Sequence, residues 1–421
     1  MANLPRSLDA LKNRNYQKLF AASLTSNVGS WVETVVIGIF MQALTHSASY
    51  VAVAFAMRFA ANVFIAPFGG WCADRFDRKN LLILMNLLSS FIAFSIGFMV
   101  SQGSIEPWML ILFVGLTGII DSISFPTYQA FISELVPKEI YKGAVSLIFA
   151  QWNMARILGP AVAALLVGND HFEFAFYVNG ISFWAVVISL LTIRTLSHPR
   201  DEVSKLKWSD GVRWIFKEQK LTRVVATHSA SVFFAGGAIA VIPNIADEVY
   251  NSRVFGTSAL NISMAIGAIA ITVLYASFAH KFGKNRVLPF LAKMVPFTVL
   301  SFGLAPNLFI ACIAVCMFGI AHLGTLTCII TEIQMLAPRE MKGKVSSVFS
   351  GLLGGFFLLA SLVYGYLIDH FGTKPALVSI ALCHFAVQMA IGLYSKKWRI
   401  PELKSSVEDI QEEPMVPIAE L

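Results

Sequence analysis

The sequence predicts an all-α membrane protein with twelve transmembrane helices in two pseudo-symmetric six-helix bundles. Three observations lead to this prediction. Of the 421 residues, 56% are hydrophobic and only 14% are charged, whereas a soluble domain carries about 25% charged residues. Twelve mainly apolar stretches approach the roughly 20 residues that a helix needs to cross a bilayer. The second half of the chain also repeats features of the first.

The twelve apolar stretches are predicted to be helices, because lipid leaves no backbone group without an internal hydrogen bond. They lie near residues 17–43, 49–70, 80–100, 107–134, 143–168, 174–194, 222–248, 257–279, 287–304, 307–335, 345–368 and 375–395. The sequence contains no run typical of a zinc protease, a serine hydrolase or a nucleotide-binding loop. We therefore do not expect an enzyme.

The placement of the charges predicts the orientation of the chain. The net charge is +7. We assign 27 of the 32 Lys and Arg residues to the two tails and to the even-numbered connections, which follow the second, fourth, sixth, eighth and tenth predicted helices. Positive residues favour the cytoplasmic side of a membrane. We therefore expect both termini in the cytoplasm, in the inner membrane of a bacterium, and no nucleic-acid partner. The five cysteines lie in or beside helices, and we expect neither a disulfide nor a metal site.

An internal repeat divides the chain. LVPKEIYKGAVS (135–146) follows the fourth predicted helix, and LAPREMKGKVS (336–346) follows the tenth. The predicted parts are an N-terminal bundle (1–195), a cytoplasmic linker (196–220), a C-terminal bundle (221–396) and a cytoplasmic tail (397–421). The linker contains a stretch that we expect to form a short amphipathic helix on the inner membrane surface. Two such bundles are typical of alternating-access transporters, which hold their substrate near the bilayer midplane.

Residues 70–79, GWCADRFDRK, have the pattern G-x-x-A-D-R-x-x-R-K. This pattern resembles motif A of the major facilitator superfamily. LKNRNYQKLF and ARILGPAVA, among other phrases, resemble the branch of drug–proton antiporters that includes macrolide-efflux proteins and the enterobactin exporter. The resemblance implies a secondary transporter that exports an amphipathic compound, such as a drug or a siderophore, with the proton gradient as its energy source and no cofactor. A monomer is the default expectation, because the sequence carries no signal of oligomerisation. Import of a nutrient, flipping of a lipid and a receptor that transports nothing stay open.

The resemblance also implies a gate. Its residues are Gly70, Asp74, Arg75, Arg78 and Lys79. In the superfamily, such an aspartate caps the start of the eleventh transmembrane helix and pairs with basic residues across the two halves while the protein faces outward. Here residues 343–351 supply that helix start, and helix starts attract anions. The alternative is that these charges only anchor the connection and fix the topology.

Four charged residues lie at the middle of predicted helices: Glu33, Arg58, Asp121 and Arg156. A charge at the bilayer centre costs at least about 2.5 kcal/mol, so each needs a partner or water. Each three-helix unit places an acid in its first helix and an arginine in its second. We expect Glu33 near Arg156 and Asp121 near Arg58, and the other pairing stays open. Glu33 and Asp121 are candidate proton sites, unless the pairs only fix the helix register.

Polar and aromatic residues at helical spacing are candidates for the lining of a substrate cavity. The alternative is that the aromatic residues face lipid or pack against other helices. The candidates are Asn27, Ser30, Thr34, Phe125, Trp152, Asn153, Phe233, Phe234, His322 and Thr325. Gly159 and Pro160, in NMARILGP, resemble a shortened form of the fifth-helix motif of antiporters, and we expect close packing and a local bend there. Pro243 is expected to bend the seventh helix.

Overall fold

The structure is a computed structural model that describes residues 6–167, 170–193, 208–217, 219–282, 284–336 and 342–396. These residues form helices and short connections, with no strand among them. After a 3₁₀ helix, Arg6–Lys12, come α1 (Arg14–Thr45), α2 (Ala48–Arg75), α3 (Arg78–Ser101), α4 (Pro107–Ile132), α5 (Lys138–Leu166) and α6 (Phe172–Thr192). The remaining helices are α7 (Trp208–Lys217), α8 (Gln219–Ala240), α9 (Ile242–Glu248), α10 (Arg253–Phe282), α11 (Lys284–Gly303), α12 (Leu308–Phe318), α13 (Gly324–Leu336), α14 (Lys342–Phe371) and α15 (Thr373–Lys396).

Each of the twelve predicted stretches corresponds to helical structure. Ten of the described helices are long and apolar enough to cross a membrane, and the bent pair α8 and α9 would make an eleventh. The helix α5 has 29 residues, but Gln151, Asn153 and Arg156 make its centre more polar. The tenth predicted stretch consists of α12, a π-helical turn (Gly319–Leu323) and α13. The predicted all-α membrane fold is therefore confirmed.

The bend between α8 and α9 measures 50°. Pro243 lies in the first turn of α9, where the missing N–H of a proline is tolerated but the preceding helix cannot continue. The bend predicted at Pro243 is thus confirmed.

Polar side chains begin several of the long helices. Oδ1 of Asn13 accepts the N–H groups of Asn15 and Tyr16 at the start of α1. Oδ1 of Asp77 accepts the N–H of Asn80 at 2.8 Å at the start of α3. Such a cap contributes about 1 kcal/mol. The run GWCADRFDRK contains five charged residues between the second and third predicted helices. One of them, Asp77, therefore has a structural role as a helix cap.

Apolar cores form within the first six helices and within the helices from α8 onward. In the first group α1 packs on α5 and α6, and α2 on α4; in the second, α8 packs on α14, and α11 on α15. Contacts of α2 with α14 and of α5 with α10 join the two groups. The domain boundaries stay predictions, because residues 194–207, 218 and 397–421 lie outside the described residues.

The helix predicted in the linker is α7, but its environment differs from the prediction. Ile215 is 1% exposed and packs in one cluster with Val345 and Val348 of α14. The apolar face of α7 is therefore covered by the protein rather than by the membrane surface, because α8 and α14 offer it an apolar groove.

Candidate functional site

A cavity of about 1790 Å³ lies between the first six helices and α14. It extends from Thr34 and Phe55, near the middle of α1 and α2, to Ser23 near the start of α1 and Asp74 near the end of α2. Asp74 is exposed, so the cavity opens at this end of the molecule. We call it the Asp74 end, and we call the opposite end, where α14 finishes, the Asp369 end.

Six of the ten predicted cavity residues line the cavity: Asn27, Ser30, Thr34, Phe125, Trp152 and Asn153. The prediction is wrong for the other four: Phe233, Phe234, His322 and Thr325. His322 and Thr325 are buried, and Nδ1 of His322 lies 3.3 Å from Oγ of Ser231. His322 belongs to the π-helical turn, which changes the register of the side chains around it. Periodicity of an ideal helix therefore placed it on the wrong face.

Arg58 and Asp121 form an ion pair in the cavity wall. Nη2 and Nε of Arg58 lie 2.8 Å and 3.1 Å from Oδ2 of Asp121. Nη1 donates to Oγ1 of Thr34 at 2.7 Å. The predicted proximity of these two residues is confirmed. The side chains are 23% and 41% exposed, so both are accessible from the cavity.

Glu33 lies behind the cavity wall, against α6. It is 4% exposed, and Nδ2 of Asn179 donates to its Oε2. The predicted pairing of Glu33 with Arg156 is wrong, because α6 supplies an amide at that level. The charge of Glu33 still lies close enough to Arg58 and Asp121 to interact with both. Asn179 was missed, and a single Asn in an apolar helix gave little signal.

Arg156 lines the cavity without forming an ion pair to any described carboxylate. Its guanidinium carbon lies 5.1 Å from the ring centre of Trp31. A cation over an aromatic ring gains about 0.5–2 kcal/mol, less than the roughly 2.5 kcal/mol or more that a charge costs at the bilayer centre. Stacking alone therefore does not offset the burial of Arg156, and its access to the cavity matters.

Gly159 and Pro160 place Arg156. A Cβ atom at Gly159 would overlap Cβ of Trp31, so only glycine lets α5 approach α1 this closely. Pro160 lies inside α5 and cannot donate the helical hydrogen bond to the carbonyl of Arg156. Close packing at the fifth-helix motif is confirmed.

The motif A residues lie at the Asp74 end, and Gly70 and Asp74 line the cavity. Nη1 of Arg78 lies 2.8 Å from Oε1 of Glu134, and Nζ of Lys79 donates to the carbonyl of Ile193. Both basic residues thus hold together helices of the first group. The pairing of Asp74 with basic residues across the two halves is expected for the outward-facing state, and it stays a prediction.

Arg75 lies over the ring of Trp71, with 5.5 Å between its guanidinium carbon and the ring centre. The predicted contact of Asp74 with residues 343–351 stays a prediction. Several side chains of this helix start, at 344, 346 and 347, lie outside the described part of the chain.

Asp369, at the finish of α14, caps the start of α2. Its carboxylate accepts from Oγ of Ser47 and from the N–H of Ala48, both at 2.7 Å, and from the N–H of Ser49 at 3.0 Å. This contact closes the Asp369 end and was missed by sequence reasoning. A signal was present, because GWCAD (70–74) and GYLID (365–369) share the spacing Gly-x-x-x-Asp.

A second polar contact crosses the Asp369 end. Nδ2 of Asn244 donates to Oε1 of Gln42 at 3.1 Å and to Oε1 of Glu248 at 2.8 Å. Oγ1 of Thr373 donates to Oε2 of Glu248 at 2.7 Å. These bonds join α1, α9 and α15 beyond the deep end of the cavity.

Comparison with known proteins gives the family. A family model described as transmembrane secretion effector, in the major facilitator superfamily, matches residues 6–419. The chain belongs to this family. A Na⁺, Li⁺, K⁺/H⁺ antiporter of Planococcus maritimus is 25% identical over 72% of this chain and 74% of its own length. The staphyloferrin A transporter of Staphylococcus aureus is 21% identical over 90% and 96%.

The branch of this major facilitator protein is also confirmed. The enterobactin exporter of Shigella flexneri is 22% identical over 80% of both chains, and macrolide efflux protein A of Streptococcus pyogenes is 21% identical over 85% and 90%. A solved bacterial homologue of the human lysosomal transporter Spinster, inward-facing and occupied, superposes with a TM-score of 0.74 at 14% identity, covering 91% and 96%. The protein is thus an integral, multi-pass secondary transporter.

Proposed function

We propose that this protein exports an amphipathic small molecule in exchange for protons, as a monomer in a bacterial cytoplasmic membrane and with no cofactor. The observation that carries the proposal is the Arg58–Asp121 pair in the cavity wall, with Glu33 behind it. The carboxylate of such an acid is accessible from the cavity and is neutralised by an arginine. A proton that binds the carboxylate replaces the arginine in this role and releases it. Relatives named for macrolide efflux and for enterobactin export support the direction.

The coupling step follows from the contacts of Arg58. A proton on Asp121 removes the charge that holds Nη2 and Nε of Arg58. The guanidinium then keeps Thr34 and moves toward Glu33, which already interacts with its charge. Because Thr34 belongs to α1, Asp121 to α4 and Arg58 to α2, this exchange changes the packing of three cavity helices. Such a change can bias one alternating-access state over the other.

The direction of opening follows from the charge distribution. The Lys and Arg residues concentrate at the tails and even-numbered connections, which supports a cytoplasmic position of the Asp74 end. The cavity then faces the cytoplasm and receives substrate from inside the cell or from the inner leaflet. The walls combine aromatic residues with a few polar ones, as an amphipathic ligand requires.

The test uses everted membrane vesicles that contain the protein, a pH-sensitive dye and a panel of amphipathic toxins. We expect some compound to release protons from energised wild-type vesicles. Asp121→Asn and Glu33→Gln should each reduce this signal at least about tenfold, because each removes a charge from the coupled set. Glu106→Gln, which changes an exposed acid at the start of α4, is the matched control.

Three outcomes contradict the proposal. If the double variant Glu33→Gln/Asp121→Asn keeps pH-driven transport, the acids do not couple protons. Accumulation of a nutrient against its gradient in whole cells would indicate an importer instead. Movement of a labelled phospholipid between leaflets, unaffected by the proton gradient, would indicate a lipid flippase.

A further inference from the structure

The charges of the cavity are distributed unevenly. Its charged lining residues are Arg58, Asp74, Asp121 and Arg156. Arg58 is neutralised by Asp121 at 2.8 Å, and Asp74 lies at the mouth. Arg156 is thus the one charged group of the described lining that lies deep in the cavity without an ionic partner. Glu33, the other deep acid, is turned to Asn179 in α6.

The guanidinium of Arg156 is arranged to receive a ligand. Its guanidinium carbon lies over the ring of Trp31, 5.1 Å from the ring centre. None of its N–H groups forms a hydrogen bond with a described residue, whereas Arg58 uses three of its nitrogens for Thr34 and Asp121. A guanidinium is planar, and its unbonded N–H groups match the two oxygens of a carboxylate or a similar oxyanion.

An aromatic surface lies beside this cation. The rings of Phe125 and Trp152 are 5.0 Å apart, and those of Phe149 and Trp152 are 5.7 Å apart. All three line the cavity, and Trp152 precedes Arg156 by one turn of α5. A molecule with an anionic group at Arg156 would therefore place an apolar or aromatic body on this surface.

We infer that Arg156 and Trp31 form an anion-binding subsite and that the transported molecule is an amphipathic oxyanion, such as a carboxylate with an aromatic body. The inference rests on the proposed transport function and specifies its substrate class. Gly159 contributes to the same subsite, because it permits the close approach of α5 to α1 that brings Arg156 over Trp31.

The test is binding to the purified protein in nanodiscs, measured by calorimetry with matched pairs of probes. Each pair is an aromatic acid and its amide, of nearly equal shape: naphthaleneacetate and naphthaleneacetamide, indoleacetate and indoleacetamide, and two larger pairs with longer apolar bodies. We expect at least one acid to bind at least about tenfold more tightly than its amide, as a charge-assisted pair predicts.

Three variants localise the effect. Arg156→Gln should abolish the preference for the acid, and Arg156→Lys should keep part of it. Lys293→Gln should leave the preference intact, because it removes a cation from an exposed position on α11, outside the cavity lining. Arg156→Lys also keeps the test valid if the glutamine variant fails to fold.

The inference is overturned if no acid binds more tightly than its amide, or if the preference survives in Arg156→Gln. Either result leaves proton-coupled export untouched, since that is measured by vesicle flux. Conversely, the protein could prefer acids clearly and yet move no protons. This result would refute the proposed function but would still support the anion-binding subsite.

Discussion

The two ends of the molecule share a Gly-x-x-x-Asp run, but the described lining of the cavity reaches the Asp74 end and stops short of the Asp369 end. At the Asp369 end, the carboxylate of Asp369 accepts three hydrogen bonds from the start of α2, and Gly365, one turn earlier, lies against α2. At the Asp74 end, Asp74 lines the mouth of the cavity. Both aspartates finish a Gly-x-x-x-Asp run, on α2 and α14, which pack on each other.

This difference suggests how one end is held closed while the other is open. Asp369 lies at the finish of α14, beside the start of α2, and helix starts attract anions. If α2 and α14 rock about their contact, a cap that forms at one end separates the partners at the other. The closed state is then maintained by a few hydrogen bonds and by one close approach of helices, and both are open to mutation.

The largest expected effect comes from the close approach. A Cβ atom at Gly365 would lie 2.8 Å from Cβ of Ala52 and from Cα of Ser49, and backbone atoms cannot yield cheaply. We expect Gly365→Val to destabilise the closed Asp369 end by about 3 kcal/mol, roughly a 100-fold change in the ratio of states. Spin labels at Ser104 and Pro306, in connections of the two groups at this end, should move apart.

The matched control for this prediction is Gly355→Val. It makes the same change in the same helix, where an added Cβ meets no atom within 4 Å. If both variants give the wild-type distance between the labels, the close approach does not hold the Asp369 end closed.

The next effect in size comes from the cap itself. Asp369→Asn removes the charge and one of the two equivalent acceptor oxygens. A carboxylate at a helix start contributes about 1–2 kcal/mol, so the open population at the Asp369 end should rise roughly 5- to 30-fold. The same pair of labels measures it. His370→Asn, at the neighbouring exposed position, should have no effect, and an equal shift in both variants would exclude the cap.

Asp74→Asn should act with the opposite sign. The resemblance to motif A implies that Asp74 stabilises the state in which the Asp74 end is closed, so its neutralisation should increase the fraction that is closed at the Asp369 end. Because an exposed charge at a helix start contributes only about 0.3–1 kcal/mol, we expect a two- to fivefold shift. In the double variant Asp74→Asn/Asp369→Asn the two shifts should largely cancel. If both single variants instead shift the population in the same direction, the two ends do not act against each other.

How much of this arrangement the sequence predicts depends on the scale of the interaction. Hydropathy and the internal repeat predict the helices, because each helix satisfies its own backbone and each apolar stretch is long. The pairing of Arg58 with Asp121 follows from the cost of a buried charge. These features depend on local patterns or on strong forces.

The incorrect predictions concern side-chain contacts that depend on the exact rotation of a helix about its axis. His322 lies in a π-helical turn, which an ideal period does not anticipate. Glu33 pairs with Asn179 because of how α6 is rotated against α1, and Phe234 faces His384 in the second core. The cap of Asp369 joins residues more than 300 positions apart, and only its repeated spacing with Asp74 gave a hint.

The last expected effect is about as large as that of Asp74→Asn, and it separates the side chain from the backbone in the Asp369 cap. Ser47→Ala removes one hydrogen bond to Asp369 but leaves the N–H groups of Ala48 and Ser49 in place. We expect a loss of about 0.5–1 kcal/mol and a two- to fivefold rise of the open state. Thr25→Ala, which removes a hydroxyl bonded only within α1, is the control.

In the Asp369→Asn background, Ser47→Ala should add little, since the charge that strengthens its bond is already gone. If it adds its full effect there, the hydroxyl stabilises the start of α2 by itself, and the closed end owes its stability to local capping rather than to the contact between α14 and α2.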